Sequence, residues 1–150
     1  MILVDANLLI YAVDARSPLH ATAKAWWSQQ LSDPAPVCLS WLVLLAFVRI
    51  TTNPRTVHSP LTFEQAAREI DSWFEQPCVL LVGPTATHWE TFKRLLRAAG
   101  PGSGLVNDAH LAALALEHGC EVCSTDGDFA KFASIRWRNP LVQTSTAAGP

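Results

Sequence analysis

The sequence predicts one α/β domain with a parallel sheet of about four to five strands and helices on both faces. The predicted strands are short and apolar at every position, which is typical of strands buried on both faces of a sheet. A helical segment separates most strands from the next. The chain has 150 residues, 49% of them hydrophobic. That is enough for one sizeable core, and it gives no reason to expect two domains.

Short apolar runs place the strands, and capping residues place the helices between them. The first strand, Ile2–Val4, ends at Asp5. Ser40 is a predicted N-cap, Thr62 with Gln65 forms a predicted capping box, and Gly119 is a predicted C-cap. Further strands are predicted over 37–39, 79–82, 121–124 and 135–137. Helices are predicted over 8–13, 18–31, 41–52, 62–75, 85–99 and 105–118. The domain is predicted to span 1–142, followed by a small, polar and disordered tail over 143–150.

Charge and targeting signals narrow the function classes. Eleven basic and thirteen acidic residues give a net charge of −2, which argues against nucleic-acid binding through bulk positive charge. Any such contact needs a local patch. The first residues show no basic segment with a cleavage site, and the longest apolar run, 41–48, is shorter than a membrane span. We therefore expect a cytoplasmic protein without a membrane anchor.

Four cysteines, including the pair Cys120 and Cys123, invite a disulfide or zinc interpretation. A structural zinc site needs four ligands, and no second Cys-x-x-Cys pair stands elsewhere in the sequence. A chain of this size without an export signal also favours reduced thiols. The cysteines are therefore predicted to be free and buried.

Aspartates follow the predicted strands where a parallel sheet carries its functional sites. Asp5 follows the first strand, Asp126 and Asp128 follow the strand over 121–124, and Asp108 lies in the first turn of a helix. Each has an ordinary explanation by itself, as a helix cap, a dipole partner or a turn residue. Together they predict a site for a hard divalent cation, because converging carboxylates repel one another without a counter-charge. Such a site suits phosphodiester hydrolysis.

Three segments give the sequence a family resemblance. The opening Ile2-Leu3-Val4-Asp5-Ala6-Asn7-Leu8-Leu9, the helix Asn107–Gly119 and the turn Ser124-Thr125-Asp126-Gly127-Asp128-Phe129 resemble the motifs of PIN-domain ribonucleases. The match is to the VapC-type toxins of toxin–antitoxin pairs, and residues 41–55 resemble a mycobacterial-type branch of them. The resemblance spans roughly residues 1–142.

The resemblance implies a Mg²⁺- or Mn²⁺-dependent endoribonuclease that cuts structured RNA such as tRNA or rRNA. It also implies a homodimer and a cognate antitoxin protein. The metal ligands carry over to Asp5, Asp108 and Asp126, with Asp128 as a further catalytic carboxylate. Asn7 and Thr125 match positions that support these carboxylates by hydrogen bonds.

One position departs from the family pattern. The second main helix usually carries a Glu about three residues before an Arg, and here Ala46 precedes Arg49. This departure leaves a second function open, a non-catalytic module of the same fold that binds RNA or a partner protein. A small-molecule phosphatase is disfavoured, because it needs an Asp-x-Asp pair where this chain has Asp5 and Asn7.

Basic and aromatic residues suggest contact surfaces. Arg49 and Arg55 are the predicted RNA-binding residues. Lys93, Arg94 and Arg97 form either a solvated helix face or an RNA-facing rim. Of six tryptophans, adjacent Trp26 and Trp27 cannot share one helical face. The apolar surface expected from the extra tryptophans, Leu8, Leu9 and residues 41–48 is predicted to be covered partly by a second copy and by an antitoxin.

Overall fold

A five-stranded parallel sheet forms the centre of the structure, a computed structural model that describes residues 1–100 and 102–142. The order of the strands is β3-β2-β1-β4-β5, and every neighbouring pair is parallel. The predicted parallel sheet is therefore confirmed. The predicted tail over 143–150 lies outside the described residues. The strands are β1 (Ile2–Val4), β2 (Val37–Ser40), β3 (Val79–Val82), β4 (Glu121–Cys123) and β5 (Trp137–Arg138).

In the described part of the chain, six α-helices connect the strands. They are α1 (Ala6–Val13), α2 (His20–Ser32), α3 (Trp41–Thr51), α4 (Phe63–Phe74), α5 (His88–Ala99) and α6 (Val106–His118). Helices α1 to α4 lie in the connections from β1 to β2 and from β2 to β3, and α5 and α6 lie in the connection from β3 back to β4, which crosses the sheet in the opposite direction. Because such crossovers are right-handed, the two groups of helices cover opposite faces of the sheet. Strand order reverses at β1, so the carboxyl ends of β1 and β4 open onto the crevice where this fold class carries its sites.

The predicted caps are present. The Ser40 hydroxyl accepts a hydrogen bond from the Val43 N–H at 3.4 Å, and Thr62 and Gln65 form both bonds of a capping box. Gly119 ends α6 with a φ of 68°, a left-handed conformation that favours glycine. Helix α1 begins two residues earlier than the predicted start, because Asp5 caps it and its side chain accepts from the Ala6 N–H.

The core lies between the sheet and its helices. Trp73 packs edge-on against Phe47 and Trp27, with ring centroids 4.8 and 5.6 Å apart. Trp27 is buried and Trp26 is half-buried, which fits their different helical faces. The prediction that Leu8 and Leu9 contribute to an apolar surface is wrong. Both are fully buried, because α1 is enclosed by its packing against α2 and α3.

Strand β3 differs from the other apolar runs. Leu80 and Leu81 are more than two-fifths exposed, since β3 lies at the edge of the sheet. Cys38, Cys78, Cys120 and Cys123 are free and buried, as predicted. None of the described helices has the length and apolar character that a membrane crossing requires.

Candidate active site

Asp5 stands at the carboxyl end of β1 and is held by three hydrogen bonds. Its Oδ1 accepts from the Ala6 N–H at 2.7 Å. Its Oδ2 accepts from the Ser124 hydroxyl at 2.7 Å and from the Asn7 amide at 3.1 Å. Burial raises the pKa of Asp5, while the bonds from Ser124 and Ala6 oppose that rise. The carboxylate is therefore fixed in orientation before any ligand arrives.

Ser124 is the residue at this site that the sequence analysis missed. It directly follows β4 and is fully buried. Its hydroxyl oxygen also accepts from the Asn7 amide at 2.9 Å and from the Asp126 N–H at 3.0 Å. Thr125, predicted to support the carboxylates, instead donates its backbone N–H to the Asn7 Oδ1 at 3.4 Å. The available signal was a serine directly after a buried strand, because a buried hydroxyl must find partners.

Asp108, Asp126 and Asp128 form a second part of the site. Each offers a carboxylate oxygen, and the three oxygens lie within 4.8 Å of one another. Asp126 begins the 3-10 turn Gly127–Lys131 and accepts from the Asp128 N–H at 2.9 Å. Asp128 forms an ion pair with Lys131, at 2.7 Å between Oδ1 and Nζ. Two sequence-distant elements, α6 and this turn, thus bring three acids together.

Asp108 has more acidic than basic neighbours in this group. Burial, and after it repulsion from Asp126, Asp5 and Asp128, together raise the pKa of Asp108 to about 6, and Lys131 acts in the other direction. Asp108 therefore ionises less readily than a free carboxyl group does. A divalent cation would offset the repulsion among these carboxylates by supplying positive charge.

An open cleft of about 370 Å³ lies beside these acids, between α1, α3 and α6. Asp5 and Asp108 form its acidic side, and α3 contributes an apolar wall with one cation, Arg49. Ala46 lies in this wall, on the helix where the family pattern has its Glu. The lining residues are Asp5, Ala6, Asn7, Ile10, Leu42, Val43, Leu45, Ala46, Arg49, Ile50, Asn107, Asp108 and Leu111.

The structure therefore brings some of the predicted site residues together and leaves others apart. Asp5, Asp108 and Asp126 all lie at the end of the sheet where the strands have their carboxyl ends. Asp5 is not a member of the close three-carboxylate group, whose third member is Asp128. Of the two predicted RNA-binding arginines, Arg49 lines the cleft and Arg55 does not. Arg55 is exposed in the turn after α3, where its N–H donates to the Asn53 side chain at 2.9 Å.

Known proteins share both the sequence and the fold. The sequence profile of the PIN domain family matches residues 2–135. The chain belongs to the PIN-domain family. Within this family it is 42% identical over 140 residues to the ribonuclease VapC37 of Mycobacterium tuberculosis, a match that covers 93% of this chain and 97% of that protein. The chain thus belongs to the VapC ribonucleases, and the resemblance found in its motifs is confirmed.

Solved PIN-domain structures superimpose on most of the chain. The toxin VapC20 of Mycobacterium tuberculosis, described as cleaving the sarcin–ricin loop, is 26% identical with a TM-score of 0.64, covering 90% of this chain and 96% of that one. VapBC2 from Rickettsia felis, bound to a DNA fragment from its promoter, is 15% identical with a TM-score of 0.65, covering 93% of this chain and 98% of that one. The second likeness confirms the α/β fold alone.

Proposed function

We propose that this chain is a divalent-metal-dependent endoribonuclease, the toxin of a toxin–antitoxin pair, and that residues 1–142 form its nuclease domain. Its substrate is structured RNA, such as tRNA or rRNA. The observation that carries this proposal is the group of Asp108, Asp126 and Asp128 at the carboxyl end of a PIN-type sheet, with Asp5 beside it. The relatives' names support it, since VapC37 is a ribonuclease and VapC20 cleaves an RNA loop.

The donor set fits Mg²⁺ or Mn²⁺. Every titratable donor in the group is a carboxylate oxygen, which hard cations prefer and which softer metals leave for imidazole or thiolate. Asp108, Asp126 and Asp5 are the proposed metal-binding residues. Asp128 is a further catalytic carboxylate, and it forms an ion pair with Lys131. A bound cation of this kind neutralises charge on a phosphodiester and lowers the pKa of water.

The chain's own residues have separable tasks in this proposal. Ser124 and Asn7 hold the Asp5 carboxylate in one orientation, and the Thr125 N–H in turn holds the Asn7 side chain. Arg49 lines the cleft opposite the acids, where its guanidinium holds a phosphate against an acidic surface that repels it. Arg55 contributes at longer range, from the exposed turn after α3.

Partner contacts are proposed for the surface of α3. Trp41 and Leu45 are 59% and 63% exposed, and Leu45 also lines the cleft. Large apolar side chains next to a functional cleft are typical of a protein-binding surface. We propose that a cognate antitoxin covers them and that one of its basic side chains enters the cleft, replacing the charge of the metal. The protein is proposed to act as a homodimer in the cytoplasm.

Ala46 favours a second candidate function. A methyl group stands in the cleft wall on the helix where the family pattern has its Glu. One ligand fewer weakens metal binding, so a non-catalytic module that binds RNA or a partner remains the alternative.

Incubation of the purified protein with total RNA separates the two functions. Cleavage that requires Mg²⁺ or Mn²⁺, stops with EDTA and is lost in Asp108→Asn supports the nuclease. Asp71→Asn is the matched control, because Asp71 is an exposed acid on α4. RNA binding without cleavage at any metal concentration supports the non-catalytic module.

A further inference from the structure

The outer side of α5 carries a concentration of positive charge. Lys93, Arg94 and Arg97 line an open groove of about 620 Å³ together with Glu90, Thr91 and Ala98. Residues three and four apart share one face of a helix, so the three basic side chains are neighbours. Arg94 and Arg97 are exposed.

Two of these charges are not compensated. Glu90 is the one acid that lines the groove, and Lys93 pairs with it at 2.6 Å between Nζ and Oε1. Among the described residues, Arg94 and Arg97 form no ion pair. In a chain with a net charge of −2 and eleven basic residues, two adjacent unpaired guanidiniums form a local patch of the kind that the overall charge cannot supply.

An exposed aromatic ring stands at the other end of this helix face. Trp89 is 63% exposed. Its ring stacks on Phe92, with centroids 5.6 Å apart and planes 17° from parallel, and the Lys93 Nζ lies 5.6 Å from its centroid. An exposed indole whose ring already packs on a neighbouring side chain is suited to stack on a nucleobase, because every base has an aromatic face.

The direction of α5 relates this face to the carboxylates. Six residues, 100–105, separate the end of α5 from the start of α6. His88 at the start of α5 bonds to Glu117 near the end of α6, at 2.7 Å between Nδ1 and Oε2, and to His110, at 2.9 Å between Nε2 and Nδ1. The end of α5 therefore lies beside the start of α6, which carries Asp108. Arg97 is two residues from that end of α5, and Trp89 lies eight residues earlier, about 12 Å along the helix axis.

We propose that this α5 basic face, formed by Trp89, Lys93, Arg94 and Arg97, binds the RNA strand that flanks the scissile bond. The inference rests on the proposed nuclease function and names where its substrate is held. Arg94 and Arg97 contact phosphates, and Trp89 stacks on a base farther from the cut. An acidic cleft repels the RNA backbone, and Arg49 is the one basic side chain that lines it, so cations outside the cleft are needed to strengthen binding. Guanidiniums match phosphate geometry better than ammonium groups do.

Binding without cleavage tests this surface. The probe is a fluorescein-labelled oligouridylate of about twelve nucleotides, measured by fluorescence anisotropy in EDTA over a series of salt concentrations. The double variant Arg94→Gln/Arg97→Gln is expected to raise Kd about tenfold and to reduce the slope of log K against log salt by about 1.4, since each phosphate contact on a single strand contributes about 0.7.

A second variant separates stacking from charge. Trp89→Leu is expected to raise Kd about fivefold or more while leaving the salt slope unchanged, because it removes an aromatic face and no charge. Arg68→Gln is the matched control, since Arg68 is an exposed arginine on α4, and it is expected to behave as the wild type. Exposed helix positions tolerate these changes, and circular dichroism melts verify the fold of each variant.

Each outcome has one meaning. Equal Kd and salt slope for Arg94→Gln/Arg97→Gln and Arg68→Gln would overturn the proposal. Loss of self-association by light scattering, with RNA affinity unchanged, would also overturn it and assign the face to a protein contact. Wild-type cleavage of total RNA is scored separately. Failure to cleave, together with the expected differences in binding, contradicts the nuclease function and leaves the RNA-binding face supported.

Discussion

Ser124 donates its hydroxyl to the Asp5 carboxylate at 2.7 Å, joining residues 119 positions apart in the chain. The bond runs between the carboxyl ends of β1 and β4, the two adjacent strands where strand order reverses. The same oxygen accepts from Asn7 and from the Asp126 N–H. One buried hydroxyl therefore links the first proposed metal ligand to the turn that carries Asp126 and Asp128.

Replacing Ser124 with alanine tests this link. Ser124→Ala leaves Asp5 with one side-chain donor, Asn7, and frees the Asp126 N–H. We expect the protein to remain folded but to lose about 1–2 kcal/mol of stability, the usual cost of a buried hydrogen-bond partner. The metal concentration for half-maximal cleavage should rise about 10- to 100-fold, as for other residues that orient metal ligands. Metal titration of RNA cleavage and urea unfolding measure the two effects.

The exposed Ser28 on α2 provides the control for this substitution. Ser28→Ala removes a hydroxyl of the same size far from the cleft and should change neither quantity. An unchanged metal requirement in Ser124→Ala would show that Asp5 keeps its orientation without the bond.

Asp108 should make the stability of the metal-free protein depend on pH. Its pKa is about 6 in the folded protein, against a reference of 3.8. Between these values the folded state holds more protons than the unfolded state, so the contribution of this group to stability falls as pH rises through that range. At pH 7.5, Asp108→Asn removes the repelled charge and should raise the metal-free Tm by about 3 °C, while abolishing cleavage. Thermal melts in EDTA from pH 4 to 8 measure this dependence.

Metal linkage provides a second readout for the same residue. Mn²⁺ or Mg²⁺ should raise the Tm of the wild type at pH 7.5, because the cation binds the folded state. The increase should be smaller in Asp108→Asn and unchanged in the control Asp71→Asn. An Asp108→Asn variant that cleaves RNA at the wild-type rate would remove Asp108 from the site.

Much of the fold was predictable because its signals are local. Capping at Ser40 and Thr62 depends on residues within one turn, and the alternation of apolar runs with helices specifies a parallel sheet. The sequence could not show which run lies at an edge, since strand order is a long-range property. Leu80 and Leu81 are therefore exposed on an edge strand, and Leu8 and Leu9 are buried under neighbouring helices.

The site was predictable at the level of the acids and less so at the level of their support. Asp5 and Asp126 follow from the rule that parallel strands present functional residues at their carboxyl ends, and Asp108 follows from its place in the first turn of a helix that resembles a family motif. Which neighbour bonds to Asp5 depends on side-chain direction after β4, so Ser124 occupies the supporting position that the motif suggested for Thr125. The grouping of Asp128 with Asp108 likewise depends on the 3-10 turn, whose geometry the sequence does not reveal.

Arg49 and Arg55 should differ in their contribution to RNA cleavage. Arg49 lines the cleft with Asp5 and Asp108, and Arg55 lies outside it. Arg49→Gln is expected to raise KM for RNA about tenfold, since it removes a charged phosphate contact next to the acids. Arg55→Gln should have a smaller effect that disappears as salt rises, because an exposed distant charge is screened. Steady-state cleavage of one RNA at two salt concentrations distinguishes the two variants. If Arg49→Gln and Arg55→Gln had equal effects at both salt concentrations, this would contradict the proposed position of Arg49 at the phosphate.

Ala46 provides the sharpest test of the metal site. Its side chain faces the same cleft as Asp5 and Asp108, so Ala46→Glu adds a carboxylate on the opposite wall. We expect this variant to lower the metal concentration for half-maximal cleavage, because it supplies a carboxylate at a ligand position that water must otherwise fill. Without metal it should be less stable than the wild type, since a further negative charge enters a group that already raises the pKa of Asp108.

Ala46→Gln separates charge from size in this test. The amide has nearly the shape of the Glu side chain but is a weaker ligand and adds no negative charge. It should leave the metal requirement close to that of the wild type and should not share the metal-free loss of stability. Titrations of Mg²⁺ and Mn²⁺ against the wild type and both variants on one RNA measure the requirement, and thermal melts in EDTA measure stability. If Ala46→Glu folds but its metal requirement is unchanged or higher, Ala46 does not occupy the ligand position, and the α3 wall acts in substrate or partner binding instead.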